Sequence, residues 1–107
     1  MPQFDDREKA QEAKFAHDSE LRFKAEARRN RLLGMWAAEQ MGMSGDSAKA
    51  YAAEVVDADF AEAGEEDVFR KIAADLKAKG AAVSEATIRG KMAELTASAR
   101  AQVLAEG

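Results

Sequence analysis

Histidine, grouped carboxylates and clustered arginines are the side chains in this sequence whose chemistry could set a function. His17 is the only histidine and there is no cysteine. A zinc site draws on several imidazole or thiolate ligands, and a nucleophilic site needs a base beside an oriented partner. Neither can be assembled around one imidazole. His17 therefore reads as a solvated helix residue. Glu65, Glu66 and Asp67 stand together, but GEEDVFRK runs straight into an apolar-periodic stretch. A calcium loop instead alternates oxygen ligands around a turn glycine before its closing glutamate. A di-metal bundle site built on Glu-x-x-His pairs requires a second histidine. These residues predict no metal, no cofactor and no catalytic group, so the chain is not expected to be an enzyme.

Arg28, Arg29 and Arg31, interrupted by Asn30, form the sharpest basic cluster. Guanidinium groups in such a cluster can meet phosphates or an acidic partner surface. The simpler reading is that they flank an apolar stripe, lay their stems over the core and pair with Glu26 or with acids on other helices. No phosphate loop accompanies them, because Gly42-Met43-Ser44-Gly45 lacks the lysine and spacing of a Walker motif. The formal charge is −4. Residues 1–31 carry eight bases and seven acids, and residues 32–107 carry eight bases and thirteen acids. An acidic body of this kind argues against nucleic acid as a partner.

The elements that would position these groups are helices. Of 107 residues, 47% are hydrophobic, and 25 residues are alanine, a strong helix former with little area to bury. Valine and isoleucine number only seven together, which disfavours a sheet. Breaks fall at residues 42–45, at Gly64 and at residues 80–84. Four helices follow, at about 21–41, 47–61, 66–79 and 85–105, making an all-α four-helix bundle of residues 21–107. The expected inner faces are Leu21, Ala25, Leu32, Leu33, Trp36 and Met43; Ala48, Tyr51, Ala52, Val55, Val56 and Phe60; Val68, Phe69, Ile72, Ala73 and Leu76; and Ile88, Met92, Leu95, Ala99 and Val103. Trp36 is expected as the central anchor, and Ser84 as the cap of the last helix. No apolar run approaches a membrane span, and the opening MPQFDDREKAQEAKF is too polar for a targeting peptide, so a cytoplasmic location is expected.

Residues 1–20 differ from the rest. Asp5 with Glu8 makes a capping box, and Asp5–Lys9, Asp18–Arg22 and Glu20–Lys24 are acid-before-base pairs at i, i+4. Yet only Phe4 and Phe15 are bulky and apolar here. Their separation of eleven residues, close to three turns, puts both rings on one face. Such a segment has helix signals without enough apolar surface to fold alone. That combination suits a mobile extension, helical or disordered when free, that folds on a partner.

The string FDDREKAQEAKFAHDSELRFKAEARRNRLLGMWAAEQMG closely resembles the opening of the zeta-type inhibitor subunits of alphaproteobacterial F-type ATP synthases. AYAAEVVDADF, EDVFRKIAADL and TIRGKMAEL extend the resemblance over essentially the whole chain, with a longer loop at KGAAVSE. The resemblance implies a four-helix bundle, monomeric when free, whose N-terminal segment inhibits ATP hydrolysis by entering the catalytic alpha–beta interface. The implied partners are the alpha and beta subunits and the central stalk. Carried over by position, the inhibitory contacts are Phe4, Asp5, Asp6, Arg7, Glu8, Lys14 and Phe15 within residues 1–20; the arginine cluster read above, Arg28, Arg29 and Arg31, is a further basic contact open to a partner. Two other functions are open to such a chain. It could be an adaptor that binds through the methionine edge at 41 and 43, or a weak nucleotide-binding module that uses the arginine cluster.

Overall fold

The computed structural model describes residues 19–58 and 65–106. They form four helices: α1 (Ser19–Gln40), α2 (Gly45–Ala58), α3 (Glu65–Ala78) and α4 (Glu85–Glu106). The fold is all-α, as the composition predicts, and α1 is its organising rod. Its widest contacts are with α2 on one side and α4 on the other, while α3 closes the bundle with smaller contacts to all three.

Local chemistry fixes the ends. After α1, Gly42 takes a φ of +79°, Met43 N–H donates to Ala38 C=O at 2.8 Å, and Gly42 N–H donates to Glu39 C=O. After α3, Gly80 takes +73°, and Ala81 N–H donates to Leu76 C=O at 2.9 Å. Both are left-handed glycine stops that satisfy carbonyls left open by the helix. Ser84 caps α4, accepting the Thr87 N–H at 3.1 Å while its hydroxyl meets that of Thr87. The second helix starts at Gly45, two residues ahead of the expected Ser47, whose hydroxyl donates instead to the Ser44 carbonyl.

The core runs through Leu33, Ala37 and Ala38 of α1, Ala48, Tyr51 and Val55 of α2, Val68, Phe69, Ile72 and Leu76 of α3, and Ile88 and Met92 of α4. Most of the predicted inner faces of α2, α3 and α4 are therefore buried, with Val56, Ala73 and Leu95 half-buried at the margins. Phe60 and Gly64 lie outside the described residues.

Trp36 departs from expectation. It is half-buried against the edge of the core, and the fully buried side chains are Leu33, Ile72, Leu76, Ile88, Val55, Val68 and Asn30. The reason is the closeness of α1 and α2. A Cβ placed on Gly34 would sit 2.7 Å from the Ala52 Cα, so the two backbones nearly touch there. Leu33, Ala37 and Ala38 fill the narrow space that follows, and a ring as wide as indole is confined to the flank.

Candidate functional site

The arginine cluster is divided by the turn of α1. Arg28 points toward the end of α4, where its Nη2 donates to Glu106 Oε1 at 2.7 Å, its Nη1 also meets the Glu106 carboxylate, and Nη1 reaches Gln102 Oε1 at 3.3 Å. Hydrogen bonding and charge from Arg28 hold the Glu106 carboxyl below the usual glutamate range. Arg29 is only 7% exposed, donates from Nε to Asn30 Oδ1 at 3.1 Å and faces Glu65 at 3.7 Å. Arg31 is exposed and forms no ion pair with a described residue. Two of the three guanidinium groups are thus spent within the bundle, and neither pairs with Glu26.

Asn30 was not singled out by periodicity, yet it is completely buried, and its Nδ2 has no partner among the described residues. Its position, three residues before Leu33 and four before Gly34, is the signal that places it on the inner face.

Two of the three acids at the start of α3, Glu65 and Glu66, clasp other helices. Glu66 accepts a bidentate pair from Arg89 at 2.7 and 3.0 Å, and the Arg89 guanidinium lies 3.7 Å above the Phe69 ring. That pairing lowers the Glu66 carboxyl from its ordinary value. Asp67 accepts from Arg70 at 2.9 Å, and its other carboxylate oxygen is buried without a described partner. On the far side of α3, the Tyr51 hydroxyl donates to Asp75 at 2.7 Å, and Lys71 bridges Asp75 and Glu54. Burial, reinforced by Asp75, pushes the Tyr51 phenol well above its ordinary value. These residues join helix to helix, and their geometry is that of fasteners rather than of a reacting set.

Among the described residues, no group of three carboxylates or imidazoles is placed to hold a metal. No helix in the described residues is long and apolar enough to cross a membrane. The expected inhibitory contacts Phe4, Asp5, Asp6, Arg7, Glu8, Lys14 and Phe15, together with His17, lie outside the described residues.

Comparison with known proteins gives this bundle a family. The family model for ATPase inhibitor subunit zeta matches residues 1–102. A protein solved in solution by NMR is 56% identical, with a TM-score of 0.71, over 81% of this chain and 99% of its own. No curated protein matches the sequence. With a match that takes in nearly all of its length, the chain belongs to the ATPase inhibitor subunit zeta family, whose members are regulatory and non-catalytic.

Proposed function

We propose that this protein inhibits ATP hydrolysis by the F-type ATP synthase by inserting its N-terminal segment, residues 1–20, at a catalytic alpha–beta interface. Residues 21–107 form the bundle that carries it. The observation that bears most on this reading is the extent of the family match, which begins at residue 1 and so includes the segment as well as the bundle. The sequence of that segment supplies the rest: two aromatics on one helical face, a capping box and a density of charge that a packed core has no use for.

Phe4 and Phe15 are the apolar anchors in a desolvated cleft, where aromatics carry most of the interface energy. Asp5, Asp6, Arg7, Glu8 and Lys14 fix register and speed encounter. A helix wedged in the cleft blocks the closure that hydrolytic rotation requires. Rotation in the synthesis direction opens the same cleft and releases the helix, so the block is one-way. The described part of α1 begins at Ser19, so a segment that becomes helical on binding would lengthen an existing rod rather than nucleate a new helix.

ATP hydrolysis by the cognate motor, with the full chain or with a chain lacking residues 1–20, tests the reading. Full inhibition by the truncated chain, with its helical circular dichroism intact, would remove the segment as the effector. Phe15→Ala is expected to weaken inhibition and leave thermal stability unchanged, whereas a matched loss of both would place Phe15 in the core.

A further inference from the structure

The groove between α1 and α2 sets two exposed cations, Arg31 and Lys49, beside an apolar floor, with Asp57 as the one acid in its lining. Lys49, Ala53, Val56 and Asp57 recur along α2 at helical spacing, and Arg31 and Met35 face them from α1. The groove is shallow because Gly34 draws the helices together over Ala52, leaving alanines between longer side chains on each bank. Met35 and Val56 are half-buried, while Arg31, Lys49 and Asp57 are exposed. Neither Arg31 nor Lys49 forms an ion pair with a described residue, as Lys77 and Lys79 also do not, whereas Arg28, Arg29, Lys71, Arg70, Arg89 and Lys91 do.

The geometry points to this groove as a second docking site, which takes an apolar segment of the ATP synthase flanked by carboxylates and so anchors the bundle while the N-terminal segment inhibits. The inference rests on the inhibitory reading above. Arg31 and Lys49 would receive the carboxylates, and Met35 and Val56 would cover the apolar side chain between them. A second copy of this chain is disfavoured as occupant, because each copy would bring two cations, Arg31 and Lys49, against the single acid Asp57 and so present a like net charge. The chain's own N-terminal segment is occupied in the catalytic cleft whenever the protein inhibits, which leaves the groove free at that moment. Arg31 lies twelve residues beyond Ser19, about 18 Å along α1. The groove and the N-terminal segment are thus joined in one chain through α1, and joining two contacts raises the effective concentration of each at the motor.

The test uses the full chain carrying Arg31→Glu and Lys49→Glu, both at exposed positions. The concentration for half-inhibition of ATP hydrolysis should rise about tenfold, with maximal inhibition and Tm unchanged, and the gap should narrow at high salt. An unchanged half-inhibition concentration overturns the proposal while leaving the inhibitory reading standing. A benzophenone side chain placed at Ala53 of the otherwise wild-type chain supplies a readout independent of inhibition. Photocrosslinking to purified ATP synthase should join it to a segment with Asp or Glu beside apolar residues. Crosslinks only to a second copy, or only to the chain's own N-terminal segment, overturn it. Should the wild-type chain fail to inhibit, the functional reading falls, and the crosslink alone decides the groove.

Discussion

The two ends of α1 are held by different physics. Its C-terminal half runs into the main core, with Leu33, Ala37 and Ala38 buried and Gly34 pressed to the backbone of α2. Its N-terminal half rests on a small separate cluster, in which Ala25 and Val103 are buried and Leu21 and Leu104 pack at the edge. Phe23 faces outward there with 57% of its surface exposed, and the polar fastening is Arg28 on Glu106, at the last described turn of α4. One end is a dry seam set by shape, and the other is a thin contact closed by charge. Among the described residues, α1 is therefore anchored more firmly at its C-terminal end than near Ser19.

The seam is the place to break first. In Gly34→Ala the new methyl meets the Ala52 Cα at 2.7 Å and both the Ala52 Cβ and Val55 Cγ2 at 3.2 Å. Alanine gains about 1 kcal/mol in helix propensity, but overpacking against a backbone that cannot yield costs about 1–3 kcal/mol and shifts the helices apart. A clash with backbone takes the upper end of that cost, so the net loss reaches about 2 kcal/mol, read as a Tm fall on the order of 10 °C. A Tm equal to or above wild type would show that the seam is looser than its geometry.

At the opposite end a truncation should have a smaller and local effect. Val103→Ala removes methyls from the minor cluster, which has only Ala25 and Val103 buried and lies near the ends of both helices. A loss of about 1 kcal/mol or less is expected, since the site can close partly over the gap. Amides at residues 21–27 should exchange faster while those at 33–40 keep wild-type protection. Uniform loss of protection along α1 would mean that the rod opens as one unit. Gly90 supplies the control for the glycine argument. It lies within α4 and has nothing within 4 Å of a Cβ added to it. Gly90→Ala should therefore stabilise by about 0.5–1 kcal/mol, the opposite sign from Gly34, as measured by denaturant unfolding.

The difference between these glycines also marks what the sequence discloses. The four helices, the stops at Gly42 and Gly80, the Ser84 cap and most of the inner faces of α2 to α4 follow from local rules about caps and apolar spacing. Which glycine is a contact and which is spare is not local, because it depends on how closely a partner helix approaches. The misplacement of Trp36 has the same origin: size predicts a central anchor, but the α1–α2 seam is too narrow for an indole. Burial of Asn30 and the pairing of Glu66 with Arg89 are likewise products of helix juxtaposition. The arginine cluster was legible as a cluster, but its division into two structural groups and one exposed cation needed the rotation of α1 about its axis.

The smallest effect is the most informative about the end of α1 nearer residues 1–20. The Glu106 carboxyl is held below its ordinary value by Arg28, so its pairing contributes above the ordinary glutamate pKa, 4.5, and is lost as pH falls through its lowered value. Because the pair is exposed, Glu106→Gln should leave Tm at neutral pH unchanged within error. Hydrogen-exchange protection at residues 21–27 responds instead, since local opening there need not unfold the main core. In the wild type this protection should drop between neutral pH and about pH 3, across the range in which carboxylates take up protons. In Glu106→Gln it should start lower and stay flat over that range. Equal protection in the two proteins at neutral pH would leave the Ala25–Val103 contact as the sole fastening, and α1 would then be held at that end by apolar packing as it is at the other.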